Sequence, residues 1–110
     1  MTKYKHIVLL RFPPQTARET IAEIFEAIDE LEEKIPGIID ITSGTYESPE
    51  GLNQGFTHAF VVTFSDVASR DQYLEHPAHE PVKNLIVDAI GGDLKNVLAF
   101  DFKLDDRFRY

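Results

Sequence analysis

The stretch FTHAFVVTF, residues 56–64, constrains the fold more than any other part of the chain. It is rich in β-branched and aromatic residues, which suit a pleated, packed strand. Strand side chains alternate between faces. Phe56, His58, Phe60, Val62 and Phe64 therefore share one face, and Thr57, Ala59, Val61 and Thr63 the other. Both faces have apolar character, so this strand needs cover on both sides of its sheet.

The remaining elements follow from similar patterns. In YKHIVLLRF, residues 4–12, Tyr4, His6, Val8, Leu10 and Phe12 lie on one face, with Lys5, Ile7, Leu9 and Arg11 on the other. Pro13 and Pro14 end that strand because neither can donate to a ladder. Thr16 followed by Glu19 has the capping-box pattern and predicts the start of a helix. Ile21, Ile24, Ile28, Leu31 and Ile35, with Phe25 beside them, then form one apolar stripe on a helix of about five turns. Its opposite face carries Glu23, Glu26, Glu30 and Glu33, an acidic run that reads as solvated surface. IPG at 35–37 stops the helix, and IIDITSGTYE, 38–47, reads as a second strand weakened by Gly44. SPEGLNQG, 48–55, is a loop by its Pro, Gly, Asn and Ser content.

After the strand at 56–64, Ser65 or Asp66 caps a short helix through Leu74, which Pro77 interrupts. A further helix from about Glu80 to Ile90 places Val82, Leu85, Ile86 and Ala89 on its buried side, and Gly91 and Gly92 end it. NVLAFDF, 96–102, is the last strand, with Leu98, Phe100 and Phe102 on one face. The order is strand, helix, strand, strand, helical region, strand. It predicts an α+β chain, a single domain over 1–110, with a ferredoxin-like antiparallel four-stranded sheet and helices on one face. Those helices leave Ile7, Leu9, Ala59 and Val61 without cover inside the chain. Exposed apolar surface of that kind marks an association face, and a second copy packed in a closed two-fold dimer is the simplest cover.

Composition excludes several roles. The formal charge is −8, with Lys and Arg scattered and no block longer than the RFR near the end. Nucleic-acid affinity rests on clustered Lys and Arg, so no nucleic-acid partner is expected. The chain has no cysteine, which excludes disulfides, thiolate nucleophiles and cysteine-based zinc sites. The first twelve residues have the period of a strand and are not followed by a small-residue cleavage signal, so they do not read as a leader. No apolar run approaches the roughly 20 residues that span a bilayer. A cytoplasmic protein with no membrane contact is the expectation.

Three of the four histidines are directed inward by these patterns. His6 and His58 sit mid-strand on the more apolar face, and a buried imidazole needs a partner. His79 shares a helix face with Val82 and Ile86, three and seven positions on. His76 precedes Pro77 and is expected to be exposed or to pair with a helix-end group. His6, His58, His79 and Tyr73 thus converge between sheet and helices, an apolar place with a few polar groups, as ligand sites are. A zinc site requires three or four ligands with an oriented second shell, and no carboxylate is placed convincingly beside these residues. The expectation is no metal and no cofactor. Chemistry at this site and a purely structural use of the same side chains both remain open.

The pieces HIVLLRF, GFTHAFVVTF, YLEHPAH and VLAFDF span almost the whole chain and resemble the stress-responsive A/B barrel domain family. THAFVVTF and YLEHPAH are the specific pieces. The resemblance implies a ferredoxin-like protomer forming a dimeric α/β barrel from both sheets. The family includes stress proteins and a cofactor-free polyketide cyclase, in which a tyrosine and the second histidine of HPAH handle proton transfers. Those positions match Tyr73 and His79 here, and the cyclase's strand histidines match His6 and His58. The resemblance therefore implies Tyr73 and His79 as catalytic, with His6, His58, Ile24 and Ile28 lining a pocket for a small hydrophobic, phenolic or polyketide-like ligand. Ile24 and Ile28 depart from the cyclase and imply an aliphatic cavity. The alternative is a non-enzymatic, stress-associated homodimer.

Overall fold

Residues 2–104 are described by the structure, a computed structural model; the RFR triplet and the rest of the tail from 105 lie outside them. Strand β1 (Lys3–Leu10) is followed by helix α1 (Arg18–Lys34) and strands β2 (Ile38–Thr45) and β3 (His58–Phe64). Helices α2 (Val67–Glu75) and α3 (His79–Ala89) come next, then a short 3-10 turn (Leu94–Asn96) and strand β4 (Val97–Leu104). The sheet runs in the order β2-β3-β1-β4, and each neighbouring pair is antiparallel. This is the expected ferredoxin-like arrangement.

The alternation in β1 and β3 sorts as the residue pattern requires. Val8, Leu10, Phe60, Val62 and Phe64 are buried against the helices, where they meet Ile24, Ile28 and Leu31 of α1, Tyr73 of α2 and Val82 of α3. Ile7, Leu9, Ala59 and Val61 face the other way and keep partial exposure. The outer strand β4 adds Leu98 (49% exposed), Phe100 (62%), Phe102 and Leu104 to that open face.

Several local expectations are corrected. Thr16 does not cap α1. Its N–H closes a turn on the Pro13 carbonyl at 3.0 Å, and the helix begins two residues later behind Ala17, which offers no capping side chain. Asp66 does cap α2, its carboxylate accepting from the Ser69 N–H at 2.8 Å. Leu85 is exposed rather than buried, because the inward stripe of α3 passes through Val82, Ile86 and Ile90. Pro81 falls in the first turn of α3, where its missing N–H costs no helical hydrogen bond. Phe56 precedes β3 and lies instead under the Arg11 guanidinium, 4.6 Å from its ring centre. Arg11 also donates to the Gln54 and Lys95 carbonyls and to Asn96, tying the 46–57 loop to the turn before β4.

Candidate active site

Tyr73 occupies the last turn of α2, and His79 opens α3 after the Pro77 break. The chain turns between the two helices, and the two side chains meet across that break. The rings lie 4.6 Å apart between centroids, tilted by 46°. His76 serves the corner: its Nδ1 accepts from the Ala78 N–H at 3.0 Å, and its own N–H bonds the Tyr73 carbonyl. The expectation that it pairs with a helix-end group is met.

His6 reaches the same place from the sheet. It is 8% exposed, and its ring stands edge-on to Tyr73 at 5.7 Å. His6 Nδ1 lies 2.6 Å from Asp101 Oδ1, and Arg70 Nη1 donates to Asp101 Oδ2 at 2.8 Å. A carboxylate can only accept, so the proton of this bond sits on Nδ1 and the tautomer of His6 is defined. Asp101 and Arg70 were missed in the sequence. The available signal was the alternation of β4, which leaves an Asp among Val97 and Ala99 on the helix side, opposite His6 in the β1–β4 register.

His58 is brought to a different place. It lies level with Leu10 and Thr45, four residues along β3 from Val62, the partner of His6. Its ring packs on Phe12 at 5.1 Å and Phe25 at 5.7 Å, and its Nδ1 bonds Thr57 Oγ1. Phe25 and Phe60 stand between it and His6. Ile24 and Ile28 are fully buried in the core that also holds Tyr73.

The electrostatics divide the cluster. Burial pushes the Tyr73 phenol up to about 12, with the nearby Asp101 charge adding to the effect. Burial, and then the proximity of His6, lowers His79, with a hydrogen bond to the Leu74 backbone opposing in part. Burial raises Asp101, but the hydrogen bonds from His6 and Arg70 outweigh that and hold its carboxyl below the usual range. Near neutral pH the site therefore contains a protonated phenol, a neutral imidazole at His79 and an ionised carboxylate.

Neither of two cavities formed by the described residues is lined by Tyr73, His79 or His6. One of about 270 Å³ lies between the start of α1 and β2, against Arg18, Phe25 and His58. The other, of about 390 Å³, lies on the open face of the sheet beneath the 46–57 loop, with Leu9, Gly44, Ala59 and Val61 in its wall. Among the described residues no group of three His, Asp or Glu side chains is placed to hold a metal ion, and no helix is long and apolar enough to cross a membrane.

Residues 4–104 match the family described as the stress responsive A/B barrel domain. The chain is 31% identical over 99 residues to the stress-response A/B barrel domain-containing protein HS1 of Arabidopsis thaliana, covering 90% of this chain and 87% of that protein. It is also 31% identical over 75 residues to olivetolic acid cyclase of Cannabis sativa, covering 68% of this chain and 74% of the cyclase. Among solved structures, a dimeric ferredoxin-like protein from Jannaschia sp. CCS1 superposes with a TM-score of 0.83 at 24% identity, covering 93% of this chain and 99% of that one.

Proposed function

The chain belongs to the stress responsive A/B barrel domain family, and from that premise we propose that it is a cytoplasmic homodimer carrying out cofactor-free acid–base chemistry at Tyr73 and His79. The ligand is a small hydrophobic molecule of phenolic or polyketide-like character with an oxygen for Tyr73 to engage. The observation that carries this reading is the opposed perturbation of two touching groups, Tyr73 raised and His79 lowered. Environments that push neighbouring titratable groups apart in this way assign an acid and a base.

In this reading His79 takes a proton from the carbon next to a carbonyl, and the Tyr73 hydroxyl donates to the oxygen on which the negative charge collects. In a cyclase-like step the carbanion attacks a second carbonyl carbon of the same ligand, whose C=O π bond opens to an alkoxide, and the alkoxide takes the proton back from His79. A lyase-like step is the reverse, with His79 taking the hydroxyl proton as the carbon–carbon bond breaks. Asp101 and Arg70 hold His6 in one orientation against Tyr73, so His6 positions the phenol and the ligand. The likeness to olivetolic acid cyclase, whose name is that of a cyclase, supports the reaction class. The dimeric state of the Jannaschia protein supports the homodimer.

A second reading is favoured by one specific observation. Tyr73 is only 1% exposed, and Ile24 and Ile28 pack beside it in a closed core. That is the packing of a stress-associated structural dimer whose histidines tie the HPAH corner to the sheet. A thermal-shift screen with phenolic and polyketide-like compounds separates the two, because a ligand of the folded state stabilises it by mass action. Catalysis predicts a compound that raises the melting temperature of the wild type and has much less effect on His79→Ala. If no compound shifts the wild type, and His79→Ala and Tyr73→Phe both melt far below it, the structural reading stands instead.

A further inference from the structure

We propose that the 270 Å³ cavity between the first turns of α1 and the edge strand β2 is a binding site for a small monocarboxylate with an apolar body, its carboxylate held by Arg18. The site goes beyond the Tyr73–His79 reading and does not depend on it. His58 lines this cavity, and Phe25 and Phe60 stand between it and His6. A ligand here lies apart from the proposed acid–base chemistry.

The cavity follows from the residues that face it. On the helix side of the sheet β2 presents Ile41, Ser43 and Thr45, level with Val62, Phe60 and His58 of β3. Its inward face thus changes from apolar to hydroxyl-bearing along the strand. Opposite, α1 presents Arg18, Ile21, Ala22 and Phe25, whose three- and four-residue spacing puts them on one helix face. Ala22, Ser43 and Gly44 are small, so the two elements leave the space between them unfilled. A Cβ built at Gly44 meets nothing within 4 Å. Larger side chains at these positions would close the gap, as packing does in protein interiors.

The wall divides into a part for a charged head and a part for an apolar body. Among the described arginines, Arg11 is engaged by the Gln54 and Lys95 carbonyls and Arg70 by Asp71 and Asp101. Arg18 has no described carboxylate within ion-pair reach. Its planar fork of donors matches the two oxygens of a carboxylate. Arg18 is exposed, whereas Ile21, Phe25 and His58 are half-buried. The carboxylate therefore sits at the mouth, with the body on Ile21, Ala22 and the Phe25 ring.

His58 adds a second polar contact. Its Nδ1 is taken by the Thr57 hydroxyl at 2.8 Å, so Nε2 is the nitrogen left for a ligand. With Thr57 donating to Nδ1, Nε2 carries the proton of the neutral ring and donates to a ligand oxygen. The chain's formal charge is −8, so an anion is drawn only where a local cation outweighs that field. A charged head on an apolar body satisfies both parts of the wall. A neutral molecule leaves the guanidinium unpaired, and a compact hydrophilic anion leaves Ile21 and Phe25 uncovered.

An NMR titration of backbone amides in the full chain with sodium octanoate, and with octanamide as its uncharged counterpart, tests the assignment. Wild type should bind octanoate saturably with a Kd of about 1 mM or tighter, with shifts centred on Ile21, Ala22 and residues 43–45. Octanamide should bind about ten-fold more weakly or worse, the scale of one charge-assisted contact. Arg18→Gln should weaken octanoate by about ten-fold or more and leave octanamide unchanged. Ala22→Leu keeps a good helix former while filling the cavity, and should abolish binding of both. His79→Ala and Tyr73→Phe should bind octanoate as wild type does, whatever becomes of the acid–base reading. No saturable octanoate binding, or binding that survives both Arg18→Gln and Ala22→Leu, overturns the site. Binding lost in Tyr73→Phe but kept in Arg18→Gln places the ligand in the core and overturns it as well.

Discussion

Tyr73 and His79 touch ring to ring, yet burial acts on them in opposite directions, because it penalises whichever form is charged. The phenol stays protonated and the imidazole stays neutral. Replacing His79 with Ala should lower the rate on any accepted substrate by about 10²–10⁴, the scale of general acid–base assistance, and Tyr73→Phe should lower it without moving a pH profile set by His79. Stability carries its own signature. The unfolded His79 titrates near 6.5 and the folded one below that, so between the two values the unfolded chain binds more protons and stability rises with pH. The contribution is complete above about pH 6.5 and is lost as pH falls. His58 is lowered by burial and acts in the same direction. Asp101 acts in a separate, more acidic window, below the ordinary carboxylate range. Melting curves from pH 7 toward about pH 5 should therefore fall more steeply for wild type than for His79→Gln. Equal slopes would mean that His79 is not desolvated in solution. The inward direction of His6 and His79 was legible in the residues, because strand and helix periodicity fixes which face each occupies, whereas α2 has no apolar stripe from which the direction of Tyr73 could be read. Asp101 and Arg70 were not, since their roles depend on the β1–β4 register and on where α2 lies over the sheet.

Elements were legible wherever periodicity alone decides them, and less so at their ends. The ferredoxin-like order follows from six patterned segments, but the start of α1 depends on a turn that uses the Thr16 N–H, and no propensity records that choice. Leu85 was misplaced because one residue at the edge of a stripe can fall to either side of it, and the neighbouring helix settles which. The α1–β2 junction shows how strictly one position is defined. Gly37 has φ of +91°, which L side chains rarely adopt, and a Cβ there would collide with the Ser69 side chain of α2. Gly37→Ala should cost about 1–3 kcal/mol through strained backbone and displaced α2, read as a lower urea midpoint with unchanged slope. A midpoint equal to wild type would mean that α2 moves away freely.

At the scale of the whole molecule, the proposed homodimer rests on the open face. Helices cover one side of the sheet only, and the apolar residues of β1, β3 and β4 on the other side keep partial or full exposure in the protomer. Leu9 sits at the middle of that face, in the row from Gly44 to Leu98. Leu9→Glu should bury an unpaired charge between copies, costing about 3–5 kcal/mol of association, and should sediment as monomer at micromolar concentration. The two-sided apolar character of the sheet was legible in the strand 56–64, whereas the size gradient from Gly44 to Leu98 emerges only once the four strands are set in register. Proton transfer at His79 is measured most directly by deuterium exchange, followed by proton NMR on an alkyl aryl ketone in D2O. The dimer should exchange the protons beside the carbonyl about 10²-fold or more above the buffer rate, and His79→Ala should return them to that rate. Exchange by the wild type no faster than buffer would contradict acid–base catalysis at this site.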